Sequence, residues 1–196
     1  MSFIYHGTRK SNKISITFDD GPTNGVTDLI LDELRARSIR ASFFMVGSRI
    51  LSSPNLAKRV LAEGHEICNH TYNHLQLKGL NDDQIQQELL GTQQVMVEVM
   101  GCHTLWFRPP YGALNSTQLE MIEKLGFKVV LWDVDSLDWS QPGEDRIVEN
   151  IRTQTKSGSI ILCHDLYLQT ASSTGPVLDL LLRDGFIFET LSGLLV

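Results

Sequence analysis

At 196 residues the chain is long enough for one domain with a substantial core, and its 42% hydrophobic and 20% charged residues are ordinary for a globular protein. A formal net charge of −6 without any run of Lys or Arg argues against nucleic acid or an anionic membrane as partner. No apolar stretch approaches the about 20 residues that span a bilayer.

The opening MSFIYHGTRKSNK lacks the apolar core of a signal peptide, so either the protein stays inside the cell or a signal has been removed. The β-branched run 13–18 (KISITF) predicts a buried strand, delivered into Asp19-Asp20-Gly21-Pro22. Residues 26–37 set Val26, Leu29, Ile30 and Leu34 on one helical face. A strand over 40–46 precedes a helix over 53–63, where Ser53 is an expected N-cap and Pro54 occupies the first turn. After a strand at 65–68, Asn81 and Gln84 form a capping-box pattern for a helix reaching Met100. A strand over 104–107 leads to a second such pattern, Asn115 with Gln118, for a helix stopped at Gly126. The remaining elements are a strand over 127–134, a helix over 144–156, a strand over 158–163, a helix over 174–184 capped by Gly185, and a strand over 186–190.

Strand and helix alternate about seven times, which implies a mainly parallel sheet with helices outside. Residues 1–196 contain no internal repeat, low-complexity tract or linker, so a single domain is expected. A closed eightfold barrel takes about 250 residues. The expected fold is therefore an α/β, distorted (β/α) barrel of about seven strands; an open doubly wound sheet is the alternative, but it lacks a Gly-rich phosphate loop after the first strand.

Five polar clusters fall at the C-terminal ends of predicted strands: Asp19-Asp20, His70 with His74, Arg108 to Gly112, Asp135 to Trp139, and His164-Asp165. In parallel α/β folds that edge is where active sites are built. Two histidines four apart are weak evidence alone, since surface histidines are common. With the carboxylate of Asp20 they make a His₂-carboxylate set that leaves positions open for water and substrate. Zinc suits those ligands, and cobalt or nickel would also bind. Such an ion activates water and polarises a carbonyl, which is hydrolytic chemistry. A second aspartate is then free to take the proton of the attacking water. Arg108 would keep that carboxylate ionised, and His164, held by a carboxylate such as Asp138, would protonate the leaving group. Taken singly, Arg108 reads better as a surface charge and His164 as a core histidine; taken together they read as a site.

The segments TFDDGP, HTYNH, FRPPYG, DSLDW and LCHD resemble, in order, the five motifs of the polysaccharide deacetylase family, and the likeness runs from about Ser15 to Leu195. That family includes chitin, chitooligosaccharide and peptidoglycan N-acetylglucosamine deacetylases and acetylxylan esterases. The resemblance implies a distorted (β/α) barrel and metal-dependent removal of N-acetyl groups from N-acetylglucosamine polymers. It implies Asp19 as catalytic base, Asp20, His70 and His74 as metal ligands, and Arg108 as the tether of the base. It implies Tyr111 as an oxyanion donor through its backbone N–H, and Asp138 as the partner of the acid His164. Trp139 and Leu162 would line the pocket for the acetyl methyl. It favours a secreted or cell-surface setting, and a monomer is expected. One departure is Cys68, where the motif leads one to expect a small residue, often glycine.

An acetylxylan esterase of the same family is the alternative reading. A non-haem iron oxygenase also uses two histidines and a carboxylate, but has no use for Asp19 or His164. A silent carbohydrate-binding relative would have lost motif residues, and none is missing. The three cysteines, Cys68, Cys102 and Cys163, form no CxxC pair and read as small buried hydrophobes, with one disulfide left open. His6 and His103 are expected on the surface, His65 as a packing or capping residue, and Trp106 and Trp132 as strand core. Asp133 and Asp135 rank below Asp138 as partners of the acid.

Overall fold

The computed structural model describes residues 3–196; Met1 and Ser2 of the opening segment lie outside the described residues. Every ladder of its eight-stranded sheet is parallel. The strands are β1 (Lys13–Asp19), β2 (Ser42–Met45), β3 (Glu66–Asn69), β4 (Trp106–Phe107), β5 (Lys128–Val129), β6 (Val134–Asp135), β7 (Ile160–His164) and β8 (Ile187–Phe188). Between them lie α1 (Thr27–Ala36), α2 (Gly47–Ser52), α3 (Pro54–Ala62), α4 (Asp82–Met100), α5 (Ser116–Lys124), α6 (Glu144–Gln154), α7 (Leu168–Arg183) and α8 (Leu191–Leu195). Among the described residues no helix is long and apolar enough to cross a membrane.

The strand order β5-β4-β3-β2-β1-β7-β6, with β8 also on β1, explains the curl of the sheet. β5 and β6 end opposite sides of the ladder, yet only residues 130–133 separate them in the chain. Four residues span at most about 14 Å, so the two sheet edges must come round toward each other. The expected single strand over 127–134 is therefore two strands. It breaks where Arg108 takes the Val130 and Leu131 carbonyls with its Nε and Nη2 (3.2 and 2.9 Å), while the Asp133 N–H turns to Ile160. The N-terminal arm enters this seam: Ile4 N–H donates to Val129 O and Leu131 N–H to Ile4 O.

Strand alternation sorts residues between two cores. Ile14, Ile16 and Phe18 of β1, Phe43 and Met45 of β2, and Ile161 and Cys163 of β7 face the helices, where Phe18 stacks on Phe43 at 5.1 Å. Phe44, Cys68, Trp106, Val130 and Ile160 form a separate cluster inside the curl. Each fully buried phenylalanine is worth about 1.5–3 kcal/mol. All three cysteines are free thiols, two of them buried. Cys68 packs in the interior cluster, so the departure from a small residue fills apolar space there.

Both capping boxes form as expected, at Asn81–Gln84 and Asn115–Gln118. Ser53 holds the N-cap position of α3, but its side chain makes no cap bond. The last long helix begins at Leu168, six residues before the predicted start, and runs through Pro176. Pro176 cannot donate to the carbonyl four residues back, which is a cost inside a helix. Gly175 lies tight against Glu33 of α1 and Arg37 at its C-cap, so burial against that helix outweighs the lost bond. The short helices α2 and α8 fall below the length at which periodicity is readable.

Candidate active site

The β1 register fixes the first half of the site. Asp19 pairs with Phe44 on one side and His164 on the other, so the ladders alone carry Asp19 beside His164. Consecutive strand residues point to opposite faces, and Asp20 would turn away if the strand continued. Instead its φ is +77°, a conformation that Asp tolerates better than most residues. That turn re-aims its carboxylate toward the same cavity as Asp19. The Asp20 N–H donates to Phe44 O (3.1 Å) and the Val46 N–H to Gly21 O (3.0 Å). A side chain on Gly21 would overlap the Asp165 carboxyl, so glycine is required there. Asp165, pushed up to about 7 by burial, accepts from the Thr27 hydroxyl (2.6 Å), and its N–H donates to Asp19 O.

Arg108 is fully buried beneath this edge. Its Nη1 donates to Asp19 Oδ1 (2.6 Å) and Thr17 Oγ1 (2.8 Å), and its guanidinium lies 4.0 Å from the Phe44 ring centroid. All its contacts with polar atoms are hydrogen bonds to fixed groups, the condition under which a buried charge is tolerated.

His70, on the loop after β3, uses Nδ1–H to donate to Arg108 O (2.7 Å), which leaves Nε2 as a free lone pair. That Nε2 lies 3.1 Å from Asp20 Oδ1, and His74 Nε2 lies 3.0 Å from the same oxygen. One donor atom from each of Asp20, His70 and His74 falls within 4.8 Å of the others. Asp20 Oδ1 is buried without a hydrogen-bond partner. Burial pushes the Asp20 carboxyl up, but the two imidazoles packed against it overcome this and hold it well below the usual range. Two imidazole nitrogens and one orphaned carboxylate oxygen converging on a single point fit a divalent cation.

On the opposite wall, His164 Nδ1 lies 2.7 Å from Asp138 Oδ1. Asp138 is fully buried, and its Oδ2 accepts from the His164 N–H and from the Thr170 hydroxyl of α7, both at 2.7 Å. Burial alone would lower the His164 pKa; the Asp138 bond and charge, with Asp19 and Asp20 beyond, raise it to about 9. A cavity of about 430 Å³ joins the two halves, lined among others by Asp19, Asp20, His70, His74, Tyr111, Trp139, Leu162 and His164.

Residues 6–130 match the sequence profile of the family described as Polysaccharide deacetylase. The chain belongs to the polysaccharide deacetylase family. It is 34% identical over 186 residues to the peptidoglycan-N-acetylglucosamine deacetylase PgdA of Listeria monocytogenes, covering 94% of this chain and 39% of that protein. It is 39% identical over 187 residues to a peptidoglycan-N-acetylglucosamine deacetylase of Bacillus cereus, covering 93% and 87% respectively. The chain thus spans about two fifths of the Listeria protein and most of the Bacillus one. The solved structure of the peptidoglycan N-acetylglucosamine deacetylase Bc1960 superposes with a TM-score of 0.95 at 31% identity, covering 98% of this chain and 92% of the other. The distorted (β/α) barrel expected from the motifs is the fold of this family member.

All ten site residues expected from the sequence gather around one cavity. Arg108 and Asp138 stand behind its wall and touch it only through Asp19 and His164. Tyr111 and Trp139 are the exposed rim, 68% and 53% accessible, and Leu162 is the buried floor. Asp133 binds Arg9, Ser159 and the Ile160 N–H at the opposite end of β7. Asp135 lines the cavity while its Oδ1 accepts from the Leu137 N–H. Trp132, expected in the core, lines the cavity because it sits in the break between β5 and β6. Trp106 and His65 are buried as expected, and His6 and His103 are exposed. Thr17, Thr170, Tyr167 and Glu88 also bear on the site and are not among the residues expected from the sequence. Glu88 alone carried a signal: an acid on the apolar stripe Ile85, Leu89, Thr92, Met96 of α4.

The His164–Asp138 pair makes a titration testable in the metal-free protein. The charged and titratable groups facing His164 are Asp138, Asp19 and Asp20, with the Tyr167 ring beside it. Because its folded pKa is raised, the ring is protonated below about 9 and its stabilising pairing is lost as pH rises through that value. By NMR, His164 is expected to titrate near pH 9 in the wild type and at least one unit lower in Asp138→Asn. An unchanged midpoint in the variant removes Asp138 as the cause.

Proposed function

We propose that this chain is a carbohydrate deacetylase that hydrolyses the N-acetyl groups of N-acetylglucosamine-containing polysaccharides or oligosaccharides, with a divalent metal, zinc foremost, held by Asp20, His70 and His74. The observation that carries the reading is one cavity with the convergent ligand set on one wall, the Asp19–Arg108 pair beside it, and the His164–Asp138 pair opposite. When bound, the ion supplies a Lewis acid that makes water nucleophilic near neutral pH and polarises a carbonyl. Asp19 accepts the proton of the attacking water, its carboxylate fixed by Arg108. The Tyr111 backbone N–H, on a turn where φ is +61°, stabilises the developing oxyanion. His164 donates its proton to the departing amine, and Asp138 holds the ring in the tautomer and charge state that donation needs. Trp139 and Leu162 enclose the acetyl methyl, and the open rim at Tyr111 and Trp139 suits a polymer lying across the cavity.

Two facts about relatives support the reading. The Listeria and Bacillus relatives are peptidoglycan-N-acetylglucosamine deacetylases. Bc1960 was crystallised with an N-hydroxybenzamide, whose paired oxygens are a chelating group. The test is acetate release from chitooligosaccharides, peptidoglycan and acetylated xylan, assayed side by side before and after chelation. Activity is expected on the N-acetylglucosamine substrates, abolished by the chelator and restored by zinc or cobalt. Full activity in thoroughly demetallated protein overturns the metal; release from xylan alone selects an esterase.

A further inference from the structure

The loop that carries His70 and His74 is strained. Thr71 and His74 both adopt left-handed backbone, with φ of +67° and +58°, although neither is glycine. Local bonds account for part of its shape: the Thr71 N–H donates to Asn69 Oδ1 (2.9 Å) and the His74 N–H to Thr71 Oγ1 (3.0 Å). The residues between them, Tyr72 and Asn73, have a different support. Glu88 Oε2 accepts both of their backbone N–H groups, at 2.9 and 2.7 Å. Its Oε1 accepts from Asn73 Nδ2 at 2.8 Å. Glu88 is only 7% exposed, and no cation lies within ion-pair distance of it among the described residues. A buried carboxylate without a counter-cation is costly unless it is fully hydrogen-bonded, and this one spends its three bonds on Tyr72 and Asn73, two of the three residues between two metal-ligand positions.

α4 itself is well anchored. Its capping box, and Leu89 and Met96 buried on its inner face, fix the helix, and Leu89 O accepts from Asn69 Nδ2 at 2.9 Å. We infer that Glu88 is a positioning residue for the metal, a carboxylate on a rigid helix that clamps the His70–His74 loop in the geometry that brings both Nε2 atoms onto Asp20. The inference rests on the metal reading of those three residues. Outer groups that orient metal ligands change affinity by about 10–100-fold when removed.

The test measures binding of zinc alone by competition with a chelating dye, with the cobalt absorption spectrum as a report on geometry and Tm as a report on folding. Glu88→Ala is expected to weaken zinc by about 10–100-fold and to alter the cobalt spectrum. Glu88→Gln is expected to stay within a few-fold of wild type, because its amide oxygen can accept both backbone N–H groups while the Asn73 amide turns over to meet its NH₂. Should Glu88→Ala not fold, Glu88→Asp serves, since the shortened carboxylate cannot reach both N–H groups and should bind zinc more weakly at unchanged Tm. Ile147→Ala on α6, remote from the loop, controls for lost stability. Wild-type zinc affinity in the Ala and Asp variants, or an equal loss in Ile147→Ala at equal Tm, overturns the clamp. A wild type that binds neither zinc nor cobalt overturns the metal reading itself, and the clamp with it.

Discussion

Asp19→Asn should retain its metal and lose turnover by about 10²–10⁴-fold, the usual cost of removing a general base. Asparagine preserves the shape and can still accept from Arg108 Nη1, which lies 2.6 Å from Asp19 Oδ1. It cannot accept a proton from water. Asp20→Asn should behave differently. Asp20 Oδ1 is the buried oxygen facing both histidine Nε2 atoms, so metal occupancy should fall and activity should recover in part at high metal concentration. Metal content, acetate release and Tm measured together on both variants separate the two roles. Loss of metal from Asp19→Asn with a loaded, inactive Asp20→Asn would mean the roles are reversed. Turnover within a few-fold of wild type in Asp19→Asn would remove the general base from the mechanism.

The second large effect is on stability. Arg108→Met keeps much of the volume but strips the partner from a buried carboxylate and from the Val130 and Leu131 carbonyls. Breaking a buried ion pair from one side costs about 3–5 kcal/mol, which at about 2–4 °C per kcal/mol for a chain of this size lowers Tm by about 10 °C. The same bonds shape the break between β5 and β6, so the seam of the barrel should loosen with it. Adding Asp19→Asn to Arg108→Met removes the stranded charge and should recover part of the loss, a coupling that a double-mutant cycle reads directly. A single variant that loses less than about 1 kcal/mol, below the range for broken buried pairs, or strictly additive losses in the double variant, would show that the pair does not hold this edge together.

The sequence by itself determined the alternation of strand and helix, the parallel sheet, and the five polar clusters at its C-terminal edge. These are legible because each depends on local signals: β-branched runs, capping boxes at Asn81 and Asn115, and polar residues where an apolar run stops. It also carried every candidate ligand, base and acid, because their residue types and order resemble one family's motifs. Only the tertiary structure decided the rest. The run 127–134 reads as one strand, but its halves pair with β4 and with β7 at opposite ends of the ladder, and Arg108 takes the carbonyls at the break. The separation of Asp19 from Asp20 depends on a backbone turn at φ +77°, which no alternation pattern announces. The helix expected from residue 174 begins at Leu168, because packing against α1 carries it through Pro176. Glu88 reads only as an acid on the apolar stripe of a helix, and its meaning comes from two backbone N–H groups supplied by a loop fifteen or sixteen residues away. Composition and periodicity report what each segment prefers alone; a hydrogen bond between distant segments depends on both partners and on the register that brings them together.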